Sequence, residues 1–430
     1  MPADKPLVKA LAVQDGLYSL WAEAGTATER TVSVIGSIME LIDASETSTG
    51  AIERMAAPDT HIVSLTITEK GYCLLADGRL DTGNPMIAAD LKNPAQAKSA
   101  IGVLVQALAV RRERKLPAFT VMSCDNLIAN GQRCRQAVLD YASEIDPELA
   151  LWIGQHCCFP LSMVDRITPK PDIRRQEYYQ ALLGLADACS VTCEPWLQWV
   201  LEDRFSMERP DFARTGVTLS KQVHQFEAAK VGLLNGAHSA LAQTGLLLGY
   251  LEVAKAAADV DIAAWLDRYM QEVQTTLVAP DGLNLDEYRQ ALLHRFQNPA
   301  IQDSLYRLLE DSSIKFRQVL LPPLQHRLAK GLRSPALIGT LALWIMLLRQ
   351  LPNSEHQSRY QDSAKALYIS LAPQTNTLNG CIKLLESLFA LPESVSSEAG
   401  RELHDSLGAI EQVTDLRAWL TTSFTSTTQA

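Results

Sequence analysis

The sequence has no sustained run of basic residues, and acidic side chains outnumber basic ones. Its 430 residues include 49 Asp and Glu against 39 Lys and Arg, a formal net charge of −10. Proteins that bind nucleic acid or anionic membranes use basic surfaces to neutralise phosphate groups. The composition therefore predicts neither a nucleic-acid partner nor a membrane partner.

Long apolar runs are also lacking. The longest, ALIGTLALWIMLL at residues 336–348, is shorter than the ~20 residues that a membrane-spanning helix needs. We expect this run to form a buried core helix. No apolar stretch preceded by positive charge stands at the amino terminus, so we predict no signal peptide.

Paired cysteines are the third absence, because none of the eight cysteines forms a C-x2-C pair. A chain of this length does not need a disulfide framework, and structural zinc sites usually show paired spacings. We therefore predict reduced thiols, a cytoplasmic location and no metal site.

What is present is a pattern that changes about half-way along the chain. Short β-rich runs first alternate with amphipathic helical stretches, which predicts a largely parallel sheet covered on both faces by helices. The four clearest predicted strands are residues 17–23, 31–38, 61–68 and 118–124. Long helical patterns follow, beginning at 220–258. The fold class predicted is α/β plus all-α, with an α/β domain at residues 1–218 and an all-helical domain at 219–430.

Three polar side chains interrupt one of the most apolar helical stretches, KVGLLNGAHSALA at residues 230–242. An ideal α-helix would place Glu227, Lys230, Asn235 and His238 on one arc of about 140°. Apolar surroundings lower the pKa of a lysine toward the range useful for a general base, and an amide can donate to a developing oxyanion. Taken singly, each also has a structural explanation, as a snorkelling lysine, a core histidine or a capping asparagine.

Polar residues also follow several predicted strands. Asp125 and Asn126 follow the strand at 118–124, and Glu69 follows the strand at 61–68. Ligands bind at the carboxyl ends of parallel strands in such sheets. The alternatives are that Asp125 or Asn126 caps the next helix, and that Asp165 and Arg166 form a structural ion pair.

Five motifs then occur in order along the chain: SLTITEKGYC, FTVMSCDNLIANG, FPLSMVDRITP, CEPWLQWVLEDRF and KVGLLNGAHSALA. Together they resemble the polyol-specific long-chain dehydrogenases, a family that includes mannitol 2-dehydrogenase and fructuronate reductase. The resemblance implies a Rossmann-like NAD(P)-binding domain followed by a helical substrate and catalytic domain. It implies a zinc-independent, nicotinamide-dependent oxidoreductase that interconverts a secondary alcohol and a ketone on an open-chain sugar.

The resemblance also implies a role for each polar residue of the motifs. Lys230 would be the general acid/base, Asn126 and Asn235 would hold the reacting oxygen, and His238 would contact substrate. Asp165 would lie near the lysine.

Three further residues take roles from the same resemblance. Glu227 would gate proton transfer. Arg307 and Lys315, in the looser motif DSLYRLLEDSSIKF, would help to bind substrate hydroxyls.

The sequence departs most from the family at the amino terminus, in the part that would bind the cofactor. Family members carry a strand, a glycine turn and a second strand ahead of the point that matches residue 1, and the sequence holds no G-x-G-x-x-G. We therefore expect the first β-α-β unit to be absent from this chain. Asp4 would be the ribose-binding acid and Glu69 a second cofactor contact, which favours NAD, with NADP left open by the neighbouring Lys5.

The substrate expected from the motifs is a small sugar alcohol or sugar acid, and D-mannitol with D-fructose is favoured. D-mannonate with D-fructuronate is the first alternative, since the motifs TEKGYC and FTVMSCDN resemble those of hexuronate reductases equally well. A uronate carboxylate would need a nearby Arg or Lys. An alternative of another class is a catalytically silent remnant that binds no cofactor. We expect a monomer, since no heptad seam or long exposed apolar strand is evident.

Overall fold

The computed structural model describes residues 5–25, 29–170, 172–390 and 393–422. The chain divides into two compact units, one up to Glu227 and the other from Ala228 onward. The predicted boundary after residue 218 stays a prediction. Asp4 lies outside the described residues.

The first unit contains all the described strands, and they form three small sheets. The strands are β1 (Tyr18–Glu23), β2 (Arg30–Ile35), β3 (Ile62–Leu65), β4 (Thr120–Ser123), β5 (Ser162–Asp165), β6 (Val191–Cys193), β7 (Gln198–Leu201) and β8 (Thr218–Leu219). The sheet orders are β2-β1-β6, β3-β4 and β5-β7-β8. Parallel pairing joins β1 to β6, β3 to β4 and β7 to β8, which confirms the predicted Rossmann-like character.

Two strand pairs depart from the predicted parallel arrangement. β1 pairs with β2, and β5 pairs with β7, in antiparallel register. Only six residues lie between Glu23 and Arg30, whereas a parallel connection needs a crossover of roughly a dozen or more. The short connection therefore forces β1 and β2 into a hairpin.

Helices are distributed along the described part of the first unit. They are α1 (Lys5–Val13), α2 (Thr49–Ala56), α3 (Thr68–Gly71), α4 (Pro85–Lys92), α5 (Ala100–Glu113), α6 (Asn130–Ile145), α7 (Pro147–His156) and α8 (Ile173–Leu183). Ser99 caps α5 by accepting from the Gly102 amide at 3.0 Å, as Ser at an N-cap position commonly does. Apolar residues of β4, α5 and α6 form the main core of this unit, with Val121, Leu108 and Val138 fully buried.

Arg111 of α5 is a buried cation that binds backbone carbonyls. Its side chain is fully buried and donates to the Pro117 carbonyl at 2.7 Å and to the Thr60 carbonyl at 2.8 Å. It also donates to the carbonyls of Met55 and Ala57 at the end of α2. One guanidinium group therefore connects the end of α2 to the segments that enter β3 and β4.

The second unit is helical throughout its described residues, apart from one isolated β-bridge. After α9 (Val223–Ala229), its elements are a π-helix (Lys230–Asn235), α10 (Gly236–Leu247), α11 (Val253–Ala257), α12 (Val260–Gln274), α13 (Leu285–Phe296), α14 (Leu305–Leu309), α15 (Ser312–Val319), α16 (Leu321–Ala329), α17 (Pro335–Gln350), α18 (Lys365–Leu371), α19 (Leu378–Phe389), α20 (Glu393–Gln412) and α21 (Leu416–Thr422). α10 packs against α12, α14 and α17.

The run at 336–348 forms the buried helix that the sequence predicts. It lies within α17, where Trp344 is fully buried. Glu272 of α12 accepts from the amides of Ala336 at 2.9 Å and Leu337 at 3.0 Å, at the start of α17. Burial raises the pKa of the Glu272 carboxyl to about 7. No helix among the described residues is long and apolar enough to cross a membrane.

The helical pattern predicted at 220–258 is wrong as one continuous element. α10 ends at Leu247, and Gly249 has φ +85°, a left-handed conformation that a right-handed helix cannot contain. The stretch is also interrupted at Lys230–Asn235 by the π-helix.

Candidate active site

The π-helix changes the spacing of the polar residues that the sequence singled out. The Gly236 amide donates to the carbonyl of Val231, five residues earlier, which is the hydrogen bond that defines a π-helix. In an α-helix, residues five apart lie about 140° apart around the axis. In a π-helix, residues five apart are neighbours on adjacent turns, as residues four apart are in an α-helix. Lys230 and Asn235 therefore lie closer to one face than an ideal α-helix would allow.

Close packing of α12 against two glycines accompanies this π-helix. A Cβ at Gly232 would lie 2.8 Å from Val273, and a Cβ at Gly236 would overlap the hydroxyl of Tyr269 and lie 2.9 Å from its Cζ. Tyr269 is fully buried. Only glycine fits at these two positions while α12 remains this close.

The three polar residues of this segment differ in exposure. Lys230 is buried, with 9% of its surface exposed. Asn235 and His238 are half-buried, and the imidazole of His238 lies against Phe296 with ring centroids 4.6 Å apart. The assignment of Lys230 as a base, with Asn235 and His238 as substrate contacts, stays a prediction.

Arg307 and Lys315 are neighbours in the second unit. The Arg307 guanidinium pairs with Asp303 through both Nε, at 2.6 Å, and Nη2. The Lys315 ammonium donates to the Leu308 carbonyl at 3.0 Å. Burial, with a further contribution from the charge of Arg307, lowers the pKa of Lys315.

In the first unit, the carboxyl ends of β3 and β4 carry predicted site residues. Ile62 to Leu65 of β3 pair in parallel with Thr120 to Ser123 of β4, so both strands end at the same edge. Glu69 lies in α3, which follows β3, and Asn126 follows β4, and both side chains are exposed. The structure therefore brings these two segments together.

Asp165 and Glu227 occupy more enclosed positions. Asp165 is the last residue of β5 and is buried, with 3% of its surface exposed. The Glu227 carboxylate accepts from the amide of Ala129 at 3.0 and 3.2 Å. Ala129 has φ +55° and immediately precedes α6. Glu227 thus fixes the start of α6, a contact that the sequence did not reveal.

Two alternatives from the sequence can be compared with the structure. Asp125 does not cap α6, because the N-cap residue is Ala129, whose amide donates to Glu227. Arg166 donates through Nε to the Glu194 carbonyl at 3.0 Å. Asp125 instead binds backbone amides after β3.

Asn130 is a residue that sequence reasoning missed. This buried amide donates to the carbonyls of Asp125 at 3.1 Å and Ser162 at 2.7 Å, and it accepts from the Ser162 amide at 3.2 Å. It therefore connects the loop after β4 to the start of β5. The only signal was its place within the polar run SCDNLIANG.

Cysteine, histidine and acidic side chains are the candidate metal ligands of this chain. All eight cysteines are free. Across the described part of the chain, no group of three or more His, Cys, Asp or Glu side chains is arranged to hold a metal ion.

Two family descriptions match this arrangement of domains. The mannitol dehydrogenase Rossmann domain matches residues 3–214, and the mannitol dehydrogenase C-terminal domain matches residues 222–378. The chain belongs to the mannitol dehydrogenase family.

Individual members of the mannitol dehydrogenase family show the same relationship. D-mannonate oxidoreductase of Escherichia coli K12 is 42% identical over 334 residues, which cover 76% of this chain and 68% of that protein. Mannitol 2-dehydrogenase of Cereibacter sphaeroides is 38% identical over 344 residues, covering 80% of this chain and 72% of that protein. The aligned part thus spans about two thirds of the length of these relatives.

A solved member of the mannitol dehydrogenase family shares the fold. The ternary complex of Pseudomonas fluorescens mannitol 2-dehydrogenase with NAD and D-mannitol is 34% identical, with a TM-score of 0.82. The match covers 97% of this chain and 85% of that one.

Proposed function

We propose that the protein is a nicotinamide-dependent oxidoreductase that interconverts D-mannitol and D-fructose, with Lys230 as the general acid/base. The observation that carries this proposal is the π-helix, which sets a buried lysine and a half-buried asparagine five residues apart on neighbouring turns. The solved relative with NAD and D-mannitol supports the choice of cofactor and substrate.

In the proposed reaction, neutral Lys230 accepts the proton of the substrate hydroxyl through Nζ. Asn126 and Asn235 donate to the same oxygen as negative charge develops on it, which stabilises the transition state. His238 orients a neighbouring hydroxyl, and Asp165 keeps the supporting role that the sequence resemblance implies. A nicotinamide cofactor, when bound, accepts the hydride that leaves the carbinol carbon, so the alcohol becomes a ketone as one proton is released.

The polar edge after β3 and β4 is suited to the cofactor. Sheets of this type bind nucleotides at the carboxyl ends of their parallel strands, and Glu69 and Asn126 lie there. We propose NAD rather than NADP, with Glu69 as a cofactor contact.

The proposed role of Glu227 in proton transfer is compatible with its position beside α6.

A second candidate substrate pair is D-mannonate and D-fructuronate. It is favoured by the 42% identity to a D-mannonate oxidoreductase and by the two neighbouring cations, Arg307 and Lys315, which could pair with a uronate carboxylate. Against it, the Arg307 guanidinium already pairs with Asp303 through two nitrogens. We therefore keep the neutral polyol as the first proposal.

The test of the catalytic assignment replaces Lys230 with Ala. We expect kcat for NADH-dependent reduction of D-fructose to fall by about 10²–10⁴, the usual contribution of a general acid/base. The matched control is Lys255→Ala, because Lys255 is exposed on α11 and pairs with the exposed Glu252 at 2.7 Å. Near-normal turnover by the Lys230→Ala protein, with its melting temperature retained, would contradict the assignment.

The same assay separates the two substrates. D-fructose and D-fructuronate are compared by kcat/KM in the wild type and in Lys315→Gln. A uronate substrate predicts that the variant loses far more activity with D-fructuronate than with D-fructose. Equal small losses with both, together with a higher kcat/KM for D-fructose, support the polyol.

A further inference from the structure

Asp125 binds the segment that follows β3 through its side chain. Its Oδ1 accepts from the amide of Thr68 at 2.8 Å, and its Oδ2 accepts from the amide of Ile67 at 3.0 Å. The hydroxyl of Tyr72 donates to Oδ2 at 2.6 Å and lies 2.5 Å from the hydroxyl of Ser123. One carboxylate therefore joins the segments after two neighbouring parallel strands.

The backbone that Asp125 holds has an uncommon conformation. Thr68 has φ +63°, a left-handed conformation that is unfavourable for a β-branched residue. The surrounding structure must supply the compensating contacts. Two consecutive amides directed at one carboxylate supply strong, charge-assisted hydrogen bonds at this point.

The orientation of the Asp125 carboxylate is itself fixed by the core. Tyr72 is fully buried, and burial is the main cause that raises its pKa. Its hydroxyl therefore keeps its proton and remains a donor to Asp125.

The main chain on both sides of Asn126 is held as well. The carbonyl of Asp125 accepts from the Leu127 amide at 2.9 Å and from the side chain of Asn130 at 3.1 Å. The Cys124 amide donates to the Leu65 carbonyl at 2.9 Å. Hydrogen bonds thus hold the main chain of Cys124, Asp125 and Leu127 around Asn126.

We propose that Asp125 is a positioning residue for the oxidoreductase reaction, because its carboxylate locks the segment after β3 to the loop that presents Asn126. This inference rests on the proposed function, in which the Asn126 amide donates to the reacting oxygen. Asp125 acts through Asn126. Displacing a contact by about 1 Å can cost roughly 10²-fold in rate.

A matched control exists at the opposite end of another strand pair. Asp187 is buried and, like Asp125, accepts from two backbone amides, those of Ser19 at 2.8 Å and Cys189 at 2.9 Å, and from the hydroxyl of Ser19. These residues precede or begin the parallel strands β1 and β6. Asp187→Asn therefore disturbs the same kind of contact at the amino ends of strands.

The experiment measures kcat, KM and melting temperature for Asp125→Asn, Asp187→Asn, Asn126→Ala and the double variant of Asp125 and Asn126. We expect Asp125→Asn to lower kcat by about 10–100-fold with KM for the sugar little changed. Asp187→Asn should lower the melting temperature without this loss of kcat. Adding Asp125→Asn to Asn126→Ala should cost less than about threefold more, because the two residues act as one unit.

Two results would overturn the inference in an active enzyme. One is that Asp125→Asn and Asp187→Asn reduce kcat equally, and the other is that the losses at Asp125 and Asn126 multiply in the double variant.

Amide hydrogen exchange of residues 62–72 gives a readout without turnover, and unchanged protection in Asp125→Asn would refute the contact itself. If the wild type and Asp187→Asn both lack activity while Asp125→Asn increases exchange, the proposed function fails and this inference falls with it, although the contact stands.

Discussion

The contact between Gly236 and Tyr269 sets how closely α10 approaches α12, and replacing Gly236 with Ala tests it. The added methyl would overlap the Tyr269 hydroxyl and lie 2.9 Å from Cζ and 3.0 Å from Cε1. Ordinary carbon contacts are about 3.5–4.0 Å. Tyr269 is fully buried and donates to the Val319 carbonyl at 3.3 Å, so it has little room to move.

The expected loss of stability is the difference of two opposing effects. Overpacking of this severity lowers the free energy of unfolding by about 3 kcal/mol, at the upper end of the usual range. Alanine has a higher helix propensity than glycine, which raises the free energy of unfolding by about 1 kcal/mol. The net loss is about 2 kcal/mol, which lowers the melting temperature by about 4–8 °C for a unit of this size.

Thermal unfolding followed by circular dichroism measures this loss against a glycine of the same helical unit. Gly408 lies within α20, and a Cβ there would meet no atom within 4 Å. Gly408→Ala should therefore raise the free energy of unfolding by about 0.5–1 kcal/mol. Adding Tyr269→Phe to Gly236→Ala should recover part of the loss, because it removes the atom that overlaps the new methyl.

The reasoning would be refuted by a Gly236→Ala protein that melts at or above the wild-type temperature. It would also be refuted if Tyr269→Phe gave no recovery. In either case the packing of α12 would not be what requires glycine beside the π-helix.

Two further predictions concern buried charges. The pKa of Glu272 is raised in the folded state to about 7 from 4.5, so its stabilising contribution is full below 4.5 and is lost as the pH rises through 7. Urea titration at a series of pH values gives the free energy of unfolding of the wild type minus that of Glu272→Gln. This difference should fall by on the order of 2 kcal/mol across the window. A difference that does not change with pH would contradict the prediction. Arg111→Lys should lower the melting temperature by about 4 °C or more, because one ammonium cannot replace a guanidinium that binds four carbonyls. An unchanged melting temperature would show that those hydrogen bonds do not contribute to stability.

Local sequence patterns predicted much of the first unit correctly. The strands at 61–68 and 118–124 appear as β3 and β4, because continuously apolar and β-branched runs are suited to buried parallel strands. The pairing of β1 with β2 was missed, since alternation of strands and helices does not show which connections are too short for a crossover. In the same way, periodicity at 220–258 could not show the breaks at the π-helix and at Gly249.

The sequence by itself determined which residue types could carry chemistry and where they lie along the chain. It placed a lysine, an amide and an imidazole in one apolar segment, and polar groups after two strands. Tertiary structure alone decided how they meet. The close approach of α12 to Gly236 accompanies the π register, and the hydrogen bond from the Ala129 amide to Glu227 joins residues 98 positions apart. Hydrophobic periodicity reports only which face of an element is buried, and it carries no information about the specific contacts between distant segments.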